Sequence, residues 1–548
     1  MGFKRFLSAA LAFVMLTAIL NSTPNISAVA EEAASNTSST TSSNTSSTEK
    51  TEENKEKLYT GVVDIESGTL SIRSEPDSTS TLLGSLRKND KVTIHGEKMD
   101  GKDKRKWYKI EYGNAFAYVC ADYISNVTEK EPPAEYVPDA TFEENLTNQK
   151  FPESYKVLLR ELYANHPNWI FMADHLELTW DEALAAESKV GKSLVSKSRP
   201  DSYKSMEYGA YDWKNNTYIG FDGTSWVSAH KDIVAYFMEP RNFINENGIY
   251  QFLDQSFNEK HQNIEGINKI IKNTFMDKAF PETTHTSYAD LILAAGKQSK
   301  VNPYVLAAMI IQEQGRKGES GLISGTYGGA LNGFYNHFNI GAYATSTLSA
   351  VQRGLYYASG HPDYVSEKNK IKYGLPWNTI AKSIIGGSIW YGSGYIEVGQ
   401  DTLYYKKFDF IGPNYYNHQY MTNIEGANSE AIIMKNAYAE MPEDAALTFS
   451  IPVFKNMPEE NKTSLPEKSG ANNYYLSQIT VEGHQLTPSF DLYKRSYELV
   501  VDYAFSKVNV SATAVSTGAT VSGTGSHSLK VGDNTIKLTV TAASGRTS

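Results

Sequence analysis

The chain has 548 residues, a hydrophobic fraction of 40% and a formal net charge of −10 at pH 7, which indicates a globular protein of several domains. The negative charge disfavours a nucleic-acid-binding protein, because phosphate backbones attract basic surfaces. Cys120 is the single cysteine, so an intramolecular disulfide is excluded.

The N-terminus has the pattern of a secretory signal peptide. Basic residues at positions 4 and 5 precede an apolar run over residues 6–20, and a small-residue cleavage pattern ends at Ala30. We therefore predict that residues 1–30 are removed on secretion. No later run has the roughly 18 or more consecutive apolar residues of a membrane span, so no membrane contact is expected after cleavage. A large secreted protein without disulfides fits a Gram-positive bacterium.

Residues 31–57 combine a Ser/Thr-rich run with the charged run "EKTEENKEK", and neither can bury a core, so we predict a disordered linker. Over residues 58–127 short runs alternate apolar and polar residues between turns, as in "LSIRSEP", "WYKIEYG" and "AYVCADYI". This segment resembles the bacterial SH3 domain, a small β-barrel. The resemblance implies attachment to the cell wall through this module. Cys120 is expected to be a buried structural thiol.

A Pro- and Glu-rich segment, residues 128–150, is predicted to be a linker. Helical periodicity begins near Phe151 and apolar residues recur on one face, at Tyr155, Leu158, Leu159, Leu162 and Tyr163. Residues 151–280 contain no chemical motif. We interpret them as an accessory α-rich region.

Residues 281–442 are predicted to form a mainly helical unit, with helices over "SYADLILAAGKQS", "NPYVLAAMIIQEQG" and "WNTIAKSIIGGSIWYGSGYI". In the second helix, Glu313 continues the apolar face that Leu306 and Ile310 occupy. Glu313 has two interpretations. It is a surface residue at the helix end that pairs with Arg316, or it is a general acid whose pKa an apolar pocket raises.

Three motifs follow this helix in order: "YNHFNIGAY", "YIEVGQDTLY" and "NHQYMTNI". Together with the helix that ends at Glu313, they resemble the glucosaminidase domain of Gram-positive autolysins, a family with a lysozyme-like core. The resemblance implies a mainly α, lysozyme-like catalytic domain over residues 281–442. It also implies that Glu313 is the catalytic acid and that Tyr420 assists catalysis. The substrate-binding residues that it implies are Tyr335, Asn336, Phe338, Gln400 and Asn423.

The last motif departs from the pattern of that family, which usually reads "HQYATD". Met421 and Asn423 replace the alanine and the aspartate. If that aspartate has a catalytic role in the family, the role is absent here or another residue carries it. Glu319, Asp363 and Glu367 are candidates for a second carboxylate, although each is expected to face solvent. A single glutamate also suffices if the N-acetyl group of the substrate assists.

Residues 443–472 are predicted to be a linker, and residues 473–548 become β-rich, with alternating runs such as "YLSQITVEG" and "NTIKLTVTAASG". This segment resembles the cadherin-like β-sandwich of bacterial surface proteins. The chain stops where such a module normally adds one more strand.

The fold class predicted is therefore multidomain: an SH3-like barrel, a helical accessory region, a lysozyme-like domain and a β-sandwich. The function predicted is that of a secreted, cell-wall-associated endo-β-N-acetylglucosaminidase that cleaves the β-1,4 bond between GlcNAc and MurNAc. The resemblance selects this bond. A lysozyme-like muramidase or a lytic transglycosylase is an alternative, and a non-catalytic wall-binding or adhesion protein is another.

The expected partners are peptidoglycan glycan strands and, through the SH3-like module, the cell wall. The sequence has no H-E-x-x-H motif, no clustered Cys and His pairs and no phosphate-binding G-x-x-x-x-G-K-[ST] loop. We therefore expect neither a metal nor a cofactor. The protein is expected to be a monomer.

Overall fold

The computed structural model describes residues 58–548, except positions 81, 87, 89, 101–103, 113–114, 130–133, 413, 439–440, 442–444 and 467. The described chain divides into two compact units, residues 58–135 and residues 136–548. The predicted signal peptide and first linker lie outside the described residues. Within the described residues, none of the helices combines the length and the apolar character needed to cross a bilayer.

The first unit is a seven-stranded antiparallel sheet with strand order β3-β2-β6-β5-β4-β1-β7. Alternate side chains of its strands, among them Val63, Ile72, Ile94 and Val119, fill one apolar core. Cys120 is buried at the end of β6, and its Sγ lies 3.6 Å from Asp122 Oδ2. The β-rich prediction is confirmed. The strands are β1 Tyr59–Val63, β2 Leu70–Arg73, β3 Leu82–Leu86, β4 Lys91–Met99, β5 Lys106–Tyr112, β6 Ala115–Cys120 and β7 Ile124–Glu129.

The second unit begins with helix α1, Ala140–Asn148, inside the segment that was predicted to be a linker over residues 128–150. Asp139 caps the helix by accepting a hydrogen bond of 2.8 Å from the Phe142 backbone N–H. Glu143 forms two hydrogen bonds of 2.7 Å with Arg160 on the next helix, α2 (Glu153–Asn165). The linker prediction is therefore wrong at its end, because a cap and a two-bond ion pair hold this helix on the folded unit.

A parallel strand pair joins two segments of this unit that are far apart in the sequence. Strand β8, Ile170–Thr179, pairs with β14, Thr448–Lys455, in parallel register. Phe449 and Ile451 of β14 are fully buried. The prediction of a linker over residues 443–472 is therefore wrong for β14, which supplies part of the core.

The accessory region, which was predicted to be α-rich, combines helices and strands. Strand β9, Leu194–Ser196, bonds to a distant segment, since Leu194 N–H donates to Thr422 O and Ile424 N–H donates to Leu194 O, both at 2.9 Å. The helices are α3 Trp180–Glu187, α4 Lys231–Met238 and α5 Ile264–Ile271, and the strands are β9 Leu194–Ser196, β10 Tyr211–Asp212, β11 Thr217–Tyr218, β12 Gly220–Asp222 and β13 Trp226–Ser228.

The predicted helical unit is helical in the structure. Its helices are α6 Tyr288–Ser299, α7 Pro303–Gln314, α8 Ala350–Ala358, α9 Glu367–Tyr373, α10 Ile380–Gly394, α11 Leu403–Phe408 and α12 Gly426–Tyr438. Asn302 caps α7 as predicted, because its Oδ1 accepts a 2.9 Å hydrogen bond from Tyr304 N–H. In α10, a Cβ placed on Gly386 would collide with the Trp377 ring, and one on Gly387 would collide with the Phe338 ring. The two glycines therefore allow large side chains to pack against this helix.

The C-terminal β-rich segment packs on the accessory region. Buried Tyr474, Tyr475 and Val540 share one cluster with Tyr211 and Trp213. The Trp213 Nε1–H group donates a 2.7 Å hydrogen bond to Tyr493 OH. The sheets have strand orders β15-β16-β18 and β17-β19, with β15 Leu476–Val481, β16 Lys507–Ala514, β17 Thr520–Ser522, β18 Gly525–Ser528 and β19 Thr539–Thr541.

Candidate active site

Glu313 lies in the last turn of α7, one turn beyond Ile310 and two turns beyond Leu306, which are both fully buried on the same face. Its side chain is half-buried, and burial raises the pKa of its carboxyl to about 7. A hydrogen bond from Asn339 opposes this rise, and the nearby charge of Glu430 adds to it. The carboxyl can therefore hold a proton near neutral pH.

The loop after residue 334 brings Asn339 to this carboxyl. Asn339 Nδ2 donates a 2.7 Å hydrogen bond to Glu313 Oε2. Asn339 Oδ1 accepts a 2.6 Å hydrogen bond from Gln314 Nε2, the neighbouring residue on α7. The amide of Asn339 thus connects two consecutive side chains at the end of the helix.

A second glutamate, Glu430, lies on α12 and is 7% exposed. Burial raises the pKa of its carboxyl, and the ammonium of Lys406 together with the hydroxyl of Tyr420 opposes the rise. Burial also lowers the pKa of Lys406 to about 8. Lys406 Nζ donates a 2.7 Å hydrogen bond to Tyr391 OH, which donates in turn to Gln255 Oε1 at 2.5 Å. These side chains form a buried polar cluster, and the charge of Glu430 within it acts on the Glu313 carboxyl.

Tyr420 belongs to this buried cluster. It is 3% exposed, and Lys406 Nζ lies 5.4 Å from the centre of its ring. Burial beside Glu430 raises the pKa of its hydroxyl, so the hydroxyl stays protonated. Among the described residues, neither Tyr420 OH nor Glu430 Oε1 has a partner at full hydrogen-bond geometry, so the two groups interact as neighbours in electrostatic contact.

Three of the expected substrate-binding residues serve the fold instead. Asn336 is fully buried, and its Nδ2 donates to Ile340 O at 2.8 Å and to Gly354 O at 2.9 Å. Gln400 Nε2 donates to two backbone carbonyls, and its Oε1 lies 2.5 Å from His418 Nδ1. The Phe338 ring is buried against α10. These placements differ from the prediction. The amide groups of Asn336 and Gln400 are hydrogen-bonded within the protein and the Phe338 ring is buried, so none of the three side chains is free to contact a sugar.

Tyr335 and Asn423 are half-buried and retain surface for a ligand. The Tyr335 ring stacks on His337 with ring centres 6.4 Å apart. Asn423 Oδ1 accepts a 3.1 Å hydrogen bond from Glu425 N–H.

The three candidates for a second carboxylate face solvent, as expected. Glu319 is exposed in the loop after α7. Asp363 lies 3.7 Å from His361 Nδ1, and Glu367 pairs with Lys370 on the same short helix. The structure does not bring these three carboxylates to the buried cluster.

Asn339, Lys406 and Glu430 were not identified from the sequence. A signal for Glu430 was present, because it lies three residues after Ala427 and four before Met434 on the buried face of α12. Asn339 had no such signal, since its contact with Glu313 depends on how a loop folds back on α7.

Comparison with known proteins supports the predicted resemblances. The family described as bacterial SH3 domain matches residues 68–125, and the cadherin-like beta sandwich domain matches residues 476–548. The bifunctional autolysin of Staphylococcus epidermidis (strain ATCC 12228 / FDA PCI 1200) is 27% identical over 242 residues, which are 42% of this chain and 16% of that protein. The chain thus matches only a small part of the curated relative. The predicted resemblance to autolysins, with its SH3-like and cadherin-like modules, is confirmed.

Two solved structures are also similar. The crystal structure of Major Bifunctional Autolysin has a TM-score of 0.35 and 21% identity, and the match covers 52% of this chain and 99% of that one. The crystal structure of S. aureus glucosaminidase B has a TM-score of 0.37 and 21% identity, over 53% of this chain and 95% of that one.

Proposed function

We propose that the protein is a secreted, cell-wall-associated peptidoglycan hydrolase, an endo-β-N-acetylglucosaminidase that cleaves the β-1,4 bond between GlcNAc and MurNAc. The observation that carries this proposal is the carboxyl of Glu313, whose pKa burial raises to about 7 at the end of an apolar helix face. Cleavage of a glycosidic bond requires such a proton for the leaving oxygen. The similarity to autolysins supports the choice of substrate.

The helical unit over residues 281–442 fixes the position of the Glu313 side chain. A side chain on the last turn of a helix packed among other helices keeps its orientation while part of it stays exposed. The architecture proposed for the unit is lysozyme-like, and the helices α6 to α12 together with the position of Glu313 at the end of α7 support it.

In the proposed reaction, Glu313 donates its proton to the glycosidic oxygen as the bond to the anomeric carbon breaks. Positive charge develops on the sugar ring, and the acetamido oxygen of the substrate attacks the anomeric carbon. Water then attacks that carbon, the bond from the carbon to the acetamido oxygen breaks, and water gives a proton to the Glu313 carboxylate, which restores the starting state. The solvent-facing positions of Glu319, Asp363 and Glu367 support assistance by the substrate over a second carboxylate.

The proposed groove residues are Tyr335, which offers a ring face to a sugar, and Asn423, whose amide suits an acetamido group. Tyr420 is proposed to act as a protonated member of the buried cluster. Asn336, Phe338 and Gln400 stabilise the loops that carry these groups. The SH3-like module is proposed to attach the enzyme to the wall, and the protein is proposed to act as a monomer.

The test is product analysis on purified peptidoglycan. The digest is reduced with borohydride and the products are separated and weighed by mass spectrometry. Reduced GlcNAc at the chain ends supports the proposal. Reduced MurNAc would indicate a muramidase, anhydro sugars would indicate a lytic transglycosylase, and no release above a protein-free control would indicate a non-catalytic wall-binding protein.

A further inference from the structure

Asn339 has a backbone conformation that few residues adopt. Its φ angle is +52°, in the left-handed region that asparagine tolerates better than most residues with a side chain. Its carbonyl accepts a 3.0 Å hydrogen bond from Ala342 N–H, and Asn336 braces the same loop through Ile340. The loop therefore fixes the direction in which the Asn339 side chain leaves the backbone.

The amide group of Asn339 is held in one orientation by α7. Gln314 is buried, and its Nε2 donates to Asn339 Oδ1 at 2.6 Å and to His337 O at 2.9 Å. Because an amide oxygen accepts and an amide nitrogen donates, Nδ2 of Asn339 must point away from Gln314. It points at Glu313 Oε2, 2.7 Å away.

We propose that Asn339 is a positioning residue that reserves Glu313 Oε2 as a hydrogen-bond acceptor and so places the catalytic proton on Oε1. A protonated carboxyl has one hydroxyl oxygen and one carbonyl oxygen, and only the carbonyl oxygen accepts readily from an amide N–H group. The proton is therefore directed to one oxygen instead of being shared between two. This inference rests on the proposed role of Glu313 as a general acid.

The same hydrogen bond also affects the pKa of Glu313. An amide donor favours the ionised carboxylate, so it opposes the rise that burial causes in the pKa of Glu313. The charge of Glu430 on α12 acts in the opposite direction, with Lys406 and Tyr420 beside it. In the loop itself, burial lowers the pKa of His337 to about 3, so its ring is neutral. A substitution at Asn339 keeps these charged and titratable groups. A change in the pKa of Glu313 in such a variant therefore reports the effect of the Asn339 amide alone.

Two variants of Asn339 separate the amide from the backbone. Asn339→Gly keeps the left-handed φ angle and removes the donor. We expect the basic limb of the pH profile of kcat to move up by about one pH unit, kcat at its optimum to fall roughly tenfold, and KM to change little. Asn339→Asp keeps the shape but places a second carboxylate beside Glu313. Two carboxyls that share a proton titrate as a pair with one pKa strongly raised, so the basic limb should move further up than in Asn339→Gly.

Asn456→Gly is the matched control. Asn456 is exposed, has a φ angle of +54° and follows β14, so its replacement makes the same backbone change outside residues 281–442. Its pH profile should coincide with that of the unaltered enzyme. Thermal melting of all four full-length mature proteins reports whether each variant is folded.

A second measurement does not depend on activity. Carbon-13 NMR of glutamate carboxyls, with the Glu313 signal identified by its loss in Glu313→Gln, gives the pKa of Glu313 directly. A raised pKa in Asn339→Gly supports the inference even in a protein that fails to release sugars, in which case the proposed function alone has failed. If hydrolysis depends on Glu313 but the pKa and the basic limb of Asn339→Gly equal those of the unaltered enzyme, the inference is wrong. A fall in kcat that follows only a lower melting temperature also overturns it.

Discussion

Replacing Glu313 by glutamine should abolish activity and stabilise the fold at the same time. Glutamine preserves the shape of the side chain and can accept the hydrogen bond from Asn339 Nδ2 through its Oε1, but it cannot release a proton. General acid–base catalysis contributes roughly 10²- to 10⁴-fold, so sugar release should fall by at least that range. Product analysis on purified peptidoglycan measures this loss.

The stability change follows from the pKa of Glu313. Folding raises this pKa from its ordinary value of 4.5 to about 7. Below pH 4.5 the carboxyl is protonated in both the folded and the unfolded chain, so it does not lower the free energy of unfolding. As the pH rises from there towards 7, the unfolded chain ionises first, and the folded state loses stability relative to it. At 1.36 kcal/mol per pKa unit, the loss reaches about 3 kcal/mol near pH 7.

Glu313→Gln removes the loss of folding stability that ionisation of Glu313 causes between pH 4.5 and 7. Its melting temperature should match that of the unaltered protein near pH 4 and exceed it at pH 7, and the gap should grow between those values. Glu319→Gln is the matched control, because Glu319 is an exposed glutamate in the following loop. A constant gap across the pH range, or an equal gain in the control, would refute a buried, proton-holding carboxyl at Glu313. Retained activity would remove Glu313 from the mechanism.

Glu430→Gln should move the basic limb of the pH profile to lower pH, opposite to Asn339→Gly, because its charge raises the pKa of Glu313; an unmoved limb in kinetic titrations would contradict this. Deleting residues 58–127 should weaken sedimentation with whole walls but leave hydrolysis of short soluble glycans intact, whereas equal loss of both would make the module part of the catalytic unit. Removing residues 473–548 should lower the melting temperature in calorimetry, because it exposes Tyr211 and Trp213; an unchanged value would indicate an independent module. Asn423→Asp should lower sugar release, because a carboxylate lacks the N–H donors of the proposed amide contact, and should gain about 0.3–1 kcal/mol of stability from the nearby N-terminus of α12 in denaturant titrations; retained activity would show that the amide does not bind substrate.

The sequence was most informative where structure depends on local spacing. The cap at Asn302, the buried face of α7 and the position of Glu313 on that face all follow from residues within four positions of one another. The SH3-like unit was also recognisable, because strands such as β1, β2 and the first half of β4 bury alternate residues between turns. Such patterns need no knowledge of distant contacts.

The features that escaped prediction depend on distant contacts. Strand β14 was predicted to be part of a linker, yet it pairs with β8 from the beginning of the unit. A parallel pair between segments so far apart leaves no local signature beyond a short apolar run. The role of Asn339 is equally non-local, since its amide becomes useful only when its loop meets the end of α7.

The replacement of aspartate by Asn423 becomes understandable from its surroundings. Asn423 Oδ1 accepts a hydrogen bond from Glu425 N–H, just before α12 begins at Gly426. Aspartate and asparagine both make this local turn through a side-chain oxygen, so either residue can lead the chain into the helix. The turn matters for the site, because α12 carries Glu430, and β9 bonds to the backbone on both sides of Asn423. Asn423 therefore keeps the turn that leads into α12, the helix that carries Glu430, while it adds no charge beside that turn.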